Sequence, residues 1–152
     1  MSRSSDVIGR LTGRTLATAE SLTGGGIGAQ LTAVPGSSAV YKGGVISYTN
    51  AVKAGILGVS EDTLKFSGAV SAAVAGEMVS CVRKLLGSDI AVSVTGLAGP
   101  GGDEFGNPVG TVYIGYEDSQ HHVVKKFLFA GDRESVRLQT IDAALAIILE
   151  YN

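Results

Sequence analysis

Residues 15–30, TLATAESLTGGGIGAQ, carry the reading of the fold. Residues 16–19 are a short, mostly apolar run of strand length. The run ends on Glu20 and Ser21, turns through Thr23-Gly24-Gly25-Gly26, and continues as a helical pattern over 24–33. A strand feeding a helix through a glycine turn is the opening unit of an α/β layer.

Working outward, a short helix is expected over 5–11, ahead of the first strand. Pro35-Gly36-Ser37-Ser38 reads as a loop, 44–48 as a second strand, and 50–57 as one or two helical turns. Ser71 has the chemistry of an N-cap. The helix after it places Ala75, Met78, Val79, Val82, Leu85 and Leu86 on one face and stops at Gly87. Residues 90–94 form a buried strand that runs into the glycine-rich TGLAGPGGDEFGNPVG. Strands over 111–116 and 121–129 are joined by Glu117-Asp118-Ser119-Gln120, a connection short enough only for an antiparallel pair. Asp132 caps a last helix with the stripe Leu138, Ile141, Leu145 and Ile148. The pattern predicts one α/β domain over 1–152, a three-layer α/β/α sandwich. Its sheet is mixed and mainly parallel, with a C-terminal antiparallel hairpin.

The chain has 152 residues, 45% of them apolar, with 22 glycines and no tryptophan. That is enough to bury a core without disulfides or a structural metal, and the single Cys81, read as a core residue, cannot pair internally. Twelve basic residues against fourteen acidic ones leave no charge excess to attract nucleic acid or an anionic membrane. No segment resembles a signal peptide or reaches membrane-spanning length, so a cytoplasmic protein is expected. Glycine-rich turns and Ala/Val-rich helices suit a homo-oligomer.

The glycine turn admits three readings. Gly24-x-Gly26-x-x-Ala29 satisfies a relaxed dinucleotide fingerprint, but the next strand ends Ser47-Tyr48-Thr49-Asn50, without the carboxylate that would hold a ribose. A phosphate loop fails as well, because no Lys-Ser/Thr pair follows the glycines. What remains is a set of backbone N–H groups at a strand-to-helix turn, able to face an anion or a developing oxyanion. Ser21 just before them is either a nucleophile or a residue that hydrogen-bonds its own turn.

A nucleophilic serine needs a base. His121 and His122 are neighbours on one expected strand and point to opposite faces, which disfavours a Ser-His-Asp triad. Lysine serves if burial holds it neutral. Lys53 in YTNAVK converges with Tyr48 if Tyr48 ends a strand and Lys53 sits in the next helical turns; otherwise they are a surface lysine and a core tyrosine. The segment from Thr95 through Gly96, Ala98 and Gly99 follows a buried strand and is either a second wall of a site or a structural turn. Arg133 and Arg137, four apart, share a helix face and either grip an anion or pair locally. Asp103 and Glu104 lack companion ligands, so they read as a solvated loop, and no metal site is expected.

Together the motifs AESLTGG, PGSSAVYKGGVISYTNAVKAGILGV, GAVS, VTGLAGPGG, PVGTVY and GDRESVR resemble the CinA C-terminal domain family over nearly the whole chain. Its enzymatic members are nicotinamide-nucleotide amidases, which convert nicotinamide mononucleotide to nicotinic acid mononucleotide and ammonia. The resemblance implies a small-molecule pyridine nucleotide as partner and no cofactor. It implies Ser21 as nucleophile, Tyr48 and Lys53 as its helpers, and Thr95, Gly96, Ala98 and Gly99 as lining of the nucleotide site. Arg137, ahead of Arg133, is implied as the substrate contact, and the turn's own N–H groups at Thr23, Gly24 and Gly25 are the expected oxyanion or substrate donors. Where the family usually has Cys after the serine, this chain has Leu22, which excludes a thiol mechanism there. Thr49 replaces the usual serine and keeps its hydroxyl. Many members carry a larger N-terminal domain, so a stand-alone form is expected here. A non-catalytic nucleotide-binding module and a regulatory, competence-associated role are the alternatives.

Overall fold

The computed structural model describes residues 2–152. Helix α1 (Arg3–Arg10) precedes β1 (Leu16–Glu20), α2 (Gly26–Thr32), a 3-10 turn (Ser37–Ala39) and β2 (Tyr41–Ile46). Helix α3 (Asn50–Val52) runs directly into a π turn (Lys53–Leu57), followed by α4 (Glu61–Ser67) and α5 (Ala72–Leu86). Strand β3 (Ile90–Gly96), β4 (Thr111–Glu117), β5 (His122–Leu128) and α6 (Arg133–Glu150) complete the chain.

The five strands lie in the order β2-β1-β3-β4-β5. Strand β1 is parallel to both β2 and β3, β4 is antiparallel to β3, and β5 is antiparallel to β4. Four strands therefore run one way and only β4 opposes them. The sheet is mixed and mainly parallel, with the late hairpin that the four-residue connection dictates.

Both sheet faces are covered, as β1 records in its own sequence. Leu16 and its neighbours Ile90, Val92 and Val94 pack under α1, α2 and α6. Ala17, Ala19 and Ala91 face α5, α4 and the π turn. The second face is built from small residues, so the backbone of α5 comes close: Ser93 donates to the Ala75 carbonyl at 2.8 Å. A Cβ on Gly115 would lie 2.9 Å from that same carbonyl oxygen.

Several boundaries depart from the sequence reading. Helix α4 was not anticipated, because Leu64 is its only buried residue. Strand β2 begins at Tyr41 rather than 44, and α2 begins at Gly26, after two glycines with positive φ. Leu85 and Leu138, expected in buried stripes, are exposed. Cys81 is half-buried at the edge of the α5 core. His121 lies in the β4–β5 turn beside Asp118 rather than in the strand, and His122 faces Glu117.

The register levels the strand ends. Glu20 is paired with Ile46 on one side and Val94 on the other, so the next residues, Ser47, Ser21 and Thr95, stand in a row across the sheet edge. Residues 97–110 then form the loop that returns the chain to β4. Gly110 closes this loop at φ +96°, and a Cβ there would lie 2.0 Å from the Phe129 carbonyl oxygen. Gly110→Ala is expected to destabilise the fold by about 3 kcal/mol, read as a lower chemical-denaturation midpoint.

Candidate active site

Lys53 reaches the row of strand ends from the junction of α3 and the π turn. Thr49 caps α3, and its carbonyl accepts the Lys53 N–H at 3.0 Å. The Lys53 carbonyl in turn accepts the N–H groups of Gly58 (3.0 Å) and Val59 (2.9 Å). With its backbone fixed at both ends, the side chain enters the interior and is only 1% exposed. Its Nζ donates to Ser21 Oγ at 2.8 Å, to the Ser47 carbonyl at 2.6 Å and more weakly to the Tyr48 carbonyl at 3.4 Å. Burial pushes the Lys53 ammonium pKa down to about 8.

This geometry orients the lysine lone pair. The two backbone carbonyls can only accept, so they take the two hydrogens of the neutral amine. The lone pair is left facing Ser21 Oγ. When Lys53 gains a proton, the third N–H points at Ser21 Oγ, and all three hydrogens have acceptors.

Ser21, 7% exposed, opens with Lys53 onto a cleft of about 770 Å³. The far walls are Thr95, Gly96, Ala98 and Gly99, then Asp103, Glu104 and Phe105, with Tyr48 and Arg133 at the mouth. Thr95 donates its hydroxyl to the Ala69 carbonyl at 2.8 Å, so it shapes the wall. Among the described residues, the N–H groups of Ala98, Gly99, Gly101 and Gly102 make no hydrogen bond within the chain. Those of Ala98, Gly99 and Gly101 belong to one wall of the cleft, where free donors suit an anion.

Other expected site residues are placed differently. Thr23, Gly24 and Gly25 do not line the cleft. Thr23 is fully buried, with its hydroxyl on Glu20, and the N–H groups of Gly24 and Gly26 close the turn onto Ser21 and Thr23 carbonyls. The amides of Gly24 and Gly26 are thus committed before any substrate arrives. Leu22 does line the cleft beside Ser21, and among the described residues its N–H is uncommitted. Tyr48 meets Lys53 through its carbonyl; its hydroxyl accepts from Arg133 at 2.9 Å.

The two arginines divide their work. Arg133 also donates to the Gly99 carbonyl at 2.7 Å, bridging two walls at the mouth. Arg137, the favoured substrate contact on sequence grounds, instead holds the carbonyls of Leu22 (2.9 Å) and Thr23 (3.3 Å) from behind the turn. Asp103 and Glu104 lie in the loop as expected, but half-buried Asp103 also accepts from the Phe105 and Asn107 N–H groups and from Asn107 Nδ2, which pins the wall. Among the described residues, no cluster of three His, Cys, Asp or Glu side chains is arranged for a metal. No helix of theirs is long and apolar enough to cross a membrane.

The CinA C-terminal domain family model matches residues 3–152. The chain belongs to the CinA C-terminal domain family. A CinA-like protein of Sulfurihydrogenibium sp. (strain YO3AOP1) is 46% identical over 96% of this chain and 37% of its own length. The chain spans between about a quarter and just over a third of the length of the curated relatives it matches. Among solved structures, a competence-damaged protein (CinA) superfamily protein from Escherichia coli superposes with a TM-score of 0.96 at 34% identity, covering 99% of this chain and 88% of that one. The competence damage-inducible protein A (ComA) of Klebsiella pneumoniae gives a TM-score of 0.90 at 40% identity, over 95% and 89%. The CinA sheet thus places a serine, a buried lysine and a loop of free amides around one cleft.

Proposed function

We propose that this CinA domain hydrolyses the carboxamide of nicotinamide mononucleotide, releasing nicotinic acid mononucleotide and ammonia. The observation that carries the reading is the 2.8 Å contact between Lys53 Nζ and Ser21 Oγ, with the amine lone pair aimed at the hydroxyl. A module that only binds a nucleotide has no need of that contact, nor of a buried lysine that makes no salt bridge to a carboxylate among the described residues.

In the reaction, neutral Lys53 takes the Ser21 proton as Oγ bonds to the amide carbon. The Leu22 N–H is the donor best placed for the resulting oxyanion, and such a donor is typically worth about 3 kcal/mol of barrier. The C–N bond breaks as Lys53 returns the proton to the leaving nitrogen, which departs as ammonia. Water, deprotonated by the same lysine, then cleaves the acyl-serine ester. No step requires the Tyr48 hydroxyl; Tyr48 orients Lys53 through its carbonyl and braces Arg133.

The free amides of Ala98, Gly99 and Gly101, with Arg133, supply the grip on the substrate's phosphate. That grip lies away from the reacting amide, so it contributes orientation, and free nicotinamide is a poor substrate. The test is ammonia release by the purified protein from nicotinamide mononucleotide against free nicotinamide. Equal or absent release from both would overturn the reading.

The arginines separate binding from architecture. Arg133→Ala is expected to raise KM for the mononucleotide about ten-fold with little change in kcat, because its contact is made in ground and transition states alike. Arg137→Ala is expected to lower the melting temperature and kcat together, because it removes two hydrogen bonds that brace the Ser21 turn. Steady-state kinetics and thermal melts on both variants check the pair.

A further inference from the structure

We infer that Glu20 is a positioning residue for Ser21: an anion built into the chain that occupies the start of α2 and locks the turn carrying the nucleophile. Glu20 is the last residue of β1 and is 2% exposed. One carboxylate oxygen accepts from Thr23 Oγ1 at 2.6 Å and from the Ile27 N–H at 2.8 Å. The other accepts from the Gly28 N–H at 3.1 Å.

The need for this carboxylate follows from the glycines. Helix α2 starts after Gly25, whose conformation is left-handed and which has no side chain to cap the first N–H groups. Those groups are buried and require an acceptor. A Ser or Asp at the cap would have supplied one, but Gly25 has φ +100°, where a side chain is strained. Glu20 reaches across the turn instead. Gly26 and Gly28 then let α2 seat closely, since Cβ atoms there would lie 2.6 Å from Ile141 Cδ1 and 2.8 Å from the Tyr41 hydroxyl.

Ser21 is the first residue inside the ring so closed. Its N–H donates to the Val94 carbonyl and its carbonyl accepts from the Gly24 N–H, both at 3.1 Å. The nucleophile's backbone is therefore tied to β3, to the turn and, through Glu20, to α2. The same carboxylate satisfies the partial positive charge at the helix start. A substrate anion is consequently directed to the free amides after Ala98, on the opposite wall.

The inference rests on the proposed amidase reading only for its substrate assay, so two readouts are used. Glu20→Gln keeps the shape but turns an NH2 group toward backbone donors. Its kcat for nicotinamide mononucleotide is expected to fall about 10- to 100-fold, with KM held within about two-fold, as a misplaced nucleophile requires. The kcat pH midpoint stays where Lys53 sets it, whereas a change at the base would move it. Labelling of Ser21 by a fluorophosphonate probe, followed by intact mass, uses no pyridine nucleotide and is expected to slow by a similar factor per folded molecule. Slowed labelling supports the role of Glu20 even if the mononucleotide proves not to be the substrate. Thr23→Val removes one of the three contacts and is expected to slow labelling about three-fold or more. A folded Glu20→Gln protein that labels and turns over at the wild-type rate overturns the inference. So does a loss expressed in KM alone. If Glu20→Gln does not fold, wild-type labelling by Thr23→Val overturns it.

Discussion

Ser21→Ala is expected to abolish ammonia release from nicotinamide mononucleotide, lowering kcat by roughly 10³-fold or more while leaving the fold intact. The substitution deletes one hydroxyl whose partner is Lys53 Nζ. Lys53 keeps its two backbone acceptors, so the buried amine is not orphaned and the melting temperature changes little. Substrate binding survives, because the amides of the 97–110 loop and Arg133 lie on other walls of the cleft. Equilibrium binding and single-turnover ammonia release, measured together, separate the two effects. Turnover by Ser21→Ala at even a tenth of the wild-type rate would remove Ser21 from the chemistry.

Lys53→Met carries the second large effect, a loss of roughly 10³-fold in kcat, because no other base contacts Ser21 Oγ among the described residues. The wild-type protein adds a pH signature. With a Lys53 pKa of about 8, roughly one molecule in ten holds the neutral amine at pH 7. The kcat should therefore rise with pH through about 8 and level off above it. Stability follows the same proton. The folded pKa lies below that of the unfolded lysine, near 10.5, so between those values the unfolded chain binds more protons. Burial of the ammonium costs stability fully below pH 8, and that cost, on the order of 3 kcal/mol, is relieved as pH rises from about 8 toward 10.5. Lys53→Met should lose this rise, which denaturation at pH 7 and pH 9.5 would reveal.

The sequence made the layers legible wherever periodicity was long or turns were short. Helices α5 and α6 carry long apolar stripes, and a four-residue connection admits only a hairpin. Helix α4 escaped because Leu64 alone reaches the core, although Ser60-Glu61-Asp62 is a good cap and first turn. The strand expected over 44–48 misses Tyr41, Lys42 and Gly43, because Lys42 and Gly43 have neither β-branched nor aromatic character, and it runs two residues past the observed end at Ile46. Leu85 and Leu138 lie at the margins of their stripes, where a few degrees of helix rotation decide burial.

The candidate site was legible in part. Ser21 and Lys53 were candidates from the residues themselves, the motif resemblance favoured them over the duller readings, and geometry now gives their contact a physical form. Tyr48 was implied only as a helper of Ser21, and its carbonyl is what touches Lys53. Equal spacing on one helix face could not tell Arg133 from Arg137, because their targets lie on distant segments. Glu20 drew no attention as an acid beside a serine. Its signal was indirect: a glycine at a helix start leaves N–H groups that something else must accept.

The antiparallel return of β4 has a further consequence. Because β4 pairs with β3 at once, residues 97–110 hang from two adjacent strand ends and add no strand or helix to the core. The serine and lysine come from other segments altogether. On the proposed amidase reading, substrate preference and bond-breaking chemistry are thereby written into separate stretches of chain, so that rewriting one loop retargets the cleft while the Ser21–Lys53 pair stands untouched.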